Sequence, residues 1–318
     1  MARSHPFRFG LQASALAGGT ANTTGQGWRD LARRAEDLGF AVLTVADHLD
    51  DQLAVVPAIQ AAADATTSLR VGGLVLCNDY RHPVVLAKEV ATLDVLSGGR
   101  MEVGVGAGWM TTDYESAGIA LDPPGTRIRR LAEALDVLEA LWGDAPCTFE
   151  GEHYRITGLE GWPKPLQRPR PPLLLGGGAR RMLTLAGQRA DVVGLNVSLA
   201  KGVIDAEVEA DGTAERTDEK LRWVRDAAGD RFADLRLQVR VHVVLPTDDR
   251  KGVADAFAPA FGVTPEQALE TPHALVGSPE QMADDLVARR ERWGISDIGV
   301  GIEAIDAIAP VVSLLAGT

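Results

Sequence analysis

Cysteine is nearly absent from this sequence: Cys77 and Cys147 are the only two among 318 residues. Two cysteines build no disulfide framework, and this pair forms no C-x-x-C motif. The usage suits a reducing compartment, so a cytoplasmic location is expected. Basic charge is also short. Lys plus Arg number 32 against 44 Asp plus Glu, a net charge of -12. An acidic surface repels phosphate backbones and anionic lipid, so no nucleic acid and no membrane are expected as partners. No apolar run approaches the ~18 residues of a membrane span. Gly, Ser and Thr break up the first 25 residues, which leaves no core for a signal peptide. The histidines, His5, His48, His82, His153, His242 and His273, are scattered without metal-ligand spacing, so no metal is expected. The P-loop, nucleophile-elbow and zincin motifs are missing, which leaves a hydrolase triad or a zinc site without support.

What is present is an ordinary globular composition, 46% hydrophobic and 24% charged. A chain of this length buries roughly three quarters of its unfolded surface and needs neither disulfide nor metal to fold. Short β-type runs alternate with runs of helical period. Strands are expected at Phe7–Ala13, Ala41–Ala46, Val71–Leu76, Met101–Val105, Leu173–Leu175, Val192–Leu195, Leu237–Leu245 and Asp297–Ile302. Helical patterns separate them. Trp28 to Leu38 stops at Gly39, Leu53–Thr66 is rich in alanine, and Val84–Leu96 ends at Gly98-Gly99. Ser278-Pro279-Glu280-Gln281 reads as a capped start for a helix to Trp293. Eight βα units predict a single (β/α)8 TIM barrel over residues 1–318, although an open doubly wound sheet has the same strand count. Three segments exceed normal loop length: 107–124, 143–171 and 196–234. They form long insertions after strands 4 and 6, where a barrel builds its active-site mouth. Five prolines within 163–172 make that stretch extended and stiff.

Four places offer chemistry. Asp47-His48 follows strand two, where a carboxylate can orient an imidazole; the alternative is a solvated strand end. Gly104-Val105-Gly106-Ala107-Gly108-Trp109 leaves strand four. It lets a planar ligand approach the backbone, with Trp109 as a stacking face, or it is a glycine turn with a core tryptophan. It does not fit a dinucleotide fingerprint. Gly176-Gly177-Gly178-Ala179-Arg180-Arg181 opens a helix with free N–H groups and two guanidinium groups, an arrangement for a phosphate that Lys164, Arg168 and Arg170 can join; a permissive turn is the alternative. Gly72-Gly73 inside strand three indicates a bulge or close ligand approach, or else tight packing. Gln12, Asn196, Arg240, His242 and Glu303 lie near strand ends and are candidate pocket residues.

Several of these stretches together resemble the bacterial luciferase-like superfamily: Gly39-Phe40 to Asp47-His48, Arg81-His82-Pro83, Leu93 to Arg100, Gly104 to Trp109, the Gly176 turn and Gly277-Ser278-Pro279. The likeness is greatest to its oxidoreductases that use the deazaflavin coenzyme F420. Leu74 to Pro83, with Asn78-Asp79, is part of it. The resemblance implies a homodimeric barrel with the cofactor at the C-terminal mouth. The ring would lie over Gly73 and Leu74, where a non-prolyl cis peptide is common in the family. Asn78, Gly106, Ala107, Gly108 and Trp109 would stand around it, and the phosphate would sit on Gly176, Gly177, Gly178, Arg180 and Arg181. Asp47 matches a cofactor-contacting residue and His48 a catalytic acid. The group's sugar-phosphate dehydrogenases carry a glutamate where this chain has Trp109, a departure that argues against sugar oxidation. The expected function is hydride transfer between F420 and a small organic substrate. The alternatives are a two-component monooxygenase using reduced FMN, with a separate reductase as partner, and a barrel that binds flavin without catalysis.

Overall fold

The computed structural model of the chain describes residues 5–14, 23–203 and 211–318. Its strands are β1 (Arg8–Ala13), β2 (Val42–Val45), β3 (Arg70–Cys77), β4 (Met101–Gly106), β5 (Cys147–Glu150), β6 (Arg155–Leu159), β7 (Leu173–Gly177), β8 (Val192–Leu195), β9 (Arg236–Arg240), β10 (Val243–Pro246), β11 (Ala274–Gly277) and β12 (Ile295–Gly301). Eight of them close a parallel barrel in the order β1-β12-β9-β8-β7-β4-β3-β2. Closure excludes the open sheet. The remaining four form a small antiparallel hairpin, β5-β6, and a parallel pair, β10-β11.

The helices that cover the barrel follow the sequence pattern. In α1 (Gly25–Asp37), Trp28, Ala32 and Ala35 are buried on one face, Thr24 caps the start, and Gly39 supplies a φ of 84° beyond the end. Its Trp28 indole donates to the Ala58 carbonyl in α2 (Val55–Ala65) at 2.8 Å, which ties two neighbouring βα units. α3 (Pro83–Leu96) precedes β4. The insertion after β4 holds a short α4 (Thr111–Ala117), the long α5 (Pro124–Trp142) and the β5-β6 hairpin. α6 (Arg180–Arg189) follows β7, and α7 (Ala214–Ala228) lies in the insertion after β8. Of the charged run 205–231, residues 205–210 lie outside the described residues.

One sequence expectation fails at the seventh strand. The run Leu237–Leu245 is not continuous: β9 ends at Arg240, and β10 leaves the barrel to pair with β11. The division is made by hydrogen bonds. Val241 N–H still reaches the Gly299 carbonyl in the barrel, whereas His242 N–H donates to His273 O outside it. A third insertion therefore follows the seventh barrel strand, with α8 (Arg250–Phe261) and α9 (Pro265–Glu270) between β10 and β11. α10 (Pro279–Trp293) then begins on the expected capping box of Ser278 and Gln281, and α11 (Ile305–Leu315) ends the fold.

The N-terminal end of the barrel is plugged by charge. Arg8 pairs with Glu102 at 2.6 Å and Asp297 at 3.1 Å, and Arg70 reaches Glu102 at 2.5 Å. Burial alone would raise the Glu102 carboxyl, but Arg8 and Arg70 outweigh it and hold it below its ordinary value. The Ser97 to Arg100 turn closes the same end, since Arg100 donates to the carbonyls of Ser97, Leu69 and Ala63. Function is therefore left to the opposite, C-terminal end.

Candidate active site

The C-terminal ends of the strands surround a cavity of about 680 Å³, within the range of pockets that enclose a small organic ligand. Its walls come from the ends of β1, β2, β3, β4, β7, β8 and β9 and from the residues just after β12.

His48 lines this cavity, but Asp47 does not orient it. The Asp47 carboxylate accepts from Cys77 N–H at 2.9 Å and from Arg81 at 2.5 Å, so it braces the end of β2 against the end of β3. The carboxylate on His48 is Asp113, whose Oδ2 lies 2.7 Å from Nδ1. Asp113 comes from α4 and is buried. It also accepts from Tyr80 Oη at 3.0 Å and from Leu49 N–H at 3.3 Å. Trp109 sets its ring edge-on to the imidazole, with centroids 5.7 Å apart. Burial first, then the Cys77 thiol and the bond to Asp113, push the Tyr80 phenol up, so it remains a donor. Burial pushes the Cys77 thiol up to about 11, which keeps it protonated and unreactive near neutral pH.

Strand three carries the bulge that its glycines suggested. The β3-β4 register shifts between Gly73 and Leu76, and the peptide between Leu74 and Val75 is cis. The cis bond thus lies one residue beyond the Gly73-Leu74 bond that the resemblance pointed to. Gln12 donates to the Leu74 carbonyl at 2.5 Å and holds the bulge from the neighbouring wall. Leu74 and Val75 line the cavity, whereas Gly73 does not. A Cβ on Gly73 would stand 2.5 Å from Leu76 Cγ, so packing demands that glycine. Asn78 is also away from the cavity. It is buried, its amide donates to Tyr154 Oη at 3.1 Å, and its Oδ1 has no partner.

Gly106, Ala107, Gly108 and Trp109 all line the cavity. Arg127 in α5 clamps this turn by donating to the carbonyls of Ala107 and Gly108. Gly176, Gly177 and Gly178 line the far wall, leading into α6. No side chain caps the α6 N-terminus at Ala179, so its N–H groups are available to an anion. A Cβ on Gly178 would overlap the backbone of Val197 and Ser198. The glycine run, bare of side chains and ending at an uncapped helix, fits a cofactor phosphate.

The cations proposed for that phosphate are placed elsewhere. Arg180 and Arg181 are exposed and do not line the cavity. Lys164 is bound to the carbonyls of Leu141 and Gly143, and Arg170 pairs with Asp191 at the opening of β8, at the plugged end. Helix-terminal N–H groups, not guanidinium groups, are what this wall offers. Of the candidate pocket residues, Gln12, Asn196, Arg240, His242 and Glu303 all line the cavity. Asp113 and Tyr80 were missed in the sequence. Tyr80 stands next to Arg81-His82-Pro83, but no spacing rule joins it to a helix 30 residues later.

Residues 7–297 match the sequence model of the luciferase-like monooxygenase family. The F420-dependent glucose-6-phosphate dehydrogenase of Nakamurella multipartita is 30% identical over 308 residues, covering 92% of this chain and 84% of that one. The FMNH2-dependent dimethylsulfone monooxygenase of Pseudomonas putida is 31% identical over 198 residues, covering 58% of this chain and 54% of that one. The coenzyme F420 dependent tetrahydromethanopterin reductase from Methanopyrus kandleri superposes with a TM-score of 0.75 at 17% identity, over 96% of this chain and 97% of that one, a likeness of fold. The chain belongs to the luciferase-like monooxygenase family.

Proposed function

We propose that this protein is an oxidoreductase that moves a hydride between coenzyme F420 and a small organic substrate. The observation that carries the reading is His48, backed by the buried Asp113, facing the same cavity as the β3 bulge and the bare glycine wall. A bound deazaflavin supplies a ring carbon that gives or takes hydride and reacts poorly with oxygen. The chain's own part is positioning and proton transfer. The Leu74–Val75 shelf, held by Gln12, presents backbone and apolar side chains to a flat ring. Gly176 to Gly178 and the α6 N-terminus would hold the phosphate. With Nδ1 committed to Asp113, Nε2 of His48 is the atom that gives or accepts the proton.

A second reading, a monooxygenase that uses reduced FMN from a separate reductase, is supported by the dimethylsulfone monooxygenase relative. Titration of the protein with F420 and with FMN, read by cofactor fluorescence, separates the two. Micromolar binding of F420 with reversible hydride exchange is expected, and tight binding of FMN alone overturns it. The barrel that binds flavin without turnover is disfavoured by the carboxylate that His48 retains. His48→Ala should lower turnover by about 100-fold or more while leaving cofactor affinity unchanged. We also infer a two-fold homodimer, for which outer helix α3 offers apolar side chains.

A further inference from the structure

Arg240, the last residue of β9, is half-buried, and it is unlike the other buried or half-buried arginines that serve as clasps in this chain. Arg289 is spent on the carbonyls of Leu269, Pro272 and Ala274, Arg127 on those of Ala107 and Gly108, and Arg100 on those of Ala63, Leu69 and Ser97. Arg240 lines the cavity, yet its Nε and Nη1 are buried without a hydrogen-bond partner. Among the described residues no other arginine has such atoms. Guanidinium N–H groups held away from bulk water without a protein acceptor are costly, so an acceptor supplied at this point of the wall is favoured.

The surroundings narrow what that is. Glu303, after β12, is exposed and acts on Arg240 through space without bonding to it. His242 is pushed down to about 4 by burial and by the Arg240 charge, so it adds no second cation near neutral pH. Arg127, the other arginine on the cavity wall, is occupied. A single unpaired guanidinium beside a carboxylate suits one negative charge; a phosphate dianion would meet Glu303 repulsion without a second cation. The adjoining wall is apolar, formed by Val253, Ala254, Val263 and Leu269 from the third insertion. In ring order β9 lies three strands from β2 by way of β12 and β1, so Arg240 faces the cavity from well around the mouth relative to His48.

We propose that Arg240 anchors a substrate bearing one carboxylate on an apolar body, with that body against the Val253–Leu269 wall. The proposal rests on the oxidoreductase reading only in calling the ligand a substrate; binding is measurable without turnover. Hexanoate and its uncharged counterpart hexanamide are the probes, titrated calorimetrically into the full chain with and without F420. Hexanoate is expected to bind at least about tenfold more tightly than hexanamide, the difference between charge-assisted and neutral pairing. Arg240→Met should erase that preference, and Glu303→Gln should strengthen hexanoate binding by removing the opposing charge. Equal affinities in the unaltered protein, or a preference that survives Arg240→Met, overturns the proposal. If Arg240→Met does not fold, hexanoate affinity unchanged by Glu303→Gln overturns it instead. Loss of hexanoate binding on loading F420 would assign Arg240 to the cofactor and also overturn it. If F420 fails to bind while the carboxylate preference persists, the cofactor reading falls and the anchor stands.

Discussion

At the scale of single residues, the site depends on which carboxylate touches which base. Sequence adjacency made Asp47 the natural partner of His48, but successive residues past a strand end need not share a direction. Asp47 turns to Arg81 and Cys77 N–H, while Asp113 arrives from another element. His48 was legible because a polar pair after a buried strand projects into a barrel mouth. Asp113 was not, because its seven-residue helix, Thr-Thr-Asp-Tyr-Glu-Ser-Ala, has no apolar period to mark it within a long loop. Asp113→Asn should separate positioning from binding. Tyr80 and Nδ1 share Oδ2 while Leu49 N–H takes Oδ1, so an amide that keeps its oxygen on Leu49 turns its N–H groups to Nδ1 and Tyr80 and selects the opposite tautomer. We expect turnover to fall by about ten- to a hundredfold with cofactor affinity unchanged; steady-state kinetics beside a cofactor titration checks this, and a loss confined to affinity would refute the role. Gly178→Ala tests the far wall. Its Cβ would overlap the Val197–Ser198 backbone, which cannot rotate aside as a side chain can. Urea denaturation should show a loss of about 1–3 kcal/mol, together with weakened cofactor binding.

At the scale of elements, most boundaries follow from local signals, and the exceptions have tertiary causes. Leu237, Val239, Val241, Val243 and Leu245 alternate without a break, so nothing local marks the point where the chain leaves the barrel. The choice is made by β11, which offers β10 a parallel partner outside the barrel. The Ser97-Gly98-Gly99-Arg100 turn belongs to the likeness on which the family was read, yet its role is structural, clasping α2 and β3 at the plugged end. A comparable clasp uses Glu36, near the end of α1, which accepts from the N–H groups of Thr67, Ser68 and Leu69 ahead of β3. Burial acts to raise its carboxyl, but these bonds outweigh it and hold the group at about 2. A carboxyl lowered on folding contributes stability that is fully present above its unfolded value near 4.5 and is lost as pH falls through about 2. Glu36→Gln should therefore destabilise the protein at pH 7, by about 1 kcal/mol given the group's partial solvation. The deficit relative to the unaltered protein should shrink steadily between pH 4.5 and pH 2. Denaturant titrations at several pH values measure this, and a pH-independent deficit would show that packing, not charge, is what the substitution removes.

At the scale of the whole molecule, a closed barrel with one plugged end leaves its outer helices as the surface from which an assembly is built. A helix lying on a barrel needs a single apolar stripe. In α3 that stripe is Leu86, Ala87, Val90, Ala91 and Leu93, all buried, yet Val85 is 48% exposed and Leu96 61% exposed on the same helix. The sequence suggested this surplus through the apolar content of Val84–Leu96, and the alanines of α2 suggested close approach. The fold narrows the case, because Ala58, Ala62 and Ala63 of α2 are covered within the chain, so of these two helices α3 is the one the inferred homodimer would use. Apolar side chains of this kind, repeated on two copies about a two-fold axis, give a self-complementary interface. A stable dimer of this class buries about 1,200 Å² or more in total. Light scattering on the purified chain should therefore return twice the chain mass of 33.8 kDa. The double substitution Val85→Lys, Leu96→Lys should return the single-chain value, because placing two like charges per copy across a symmetric contact opposes association. Both side chains already face solvent, so the fold itself should lose no more than about 0.5 kcal/mol. A mass of 33.8 kDa for the unaltered protein at micromolar concentration would mean that the exposed α3 side chains serve no contact between copies.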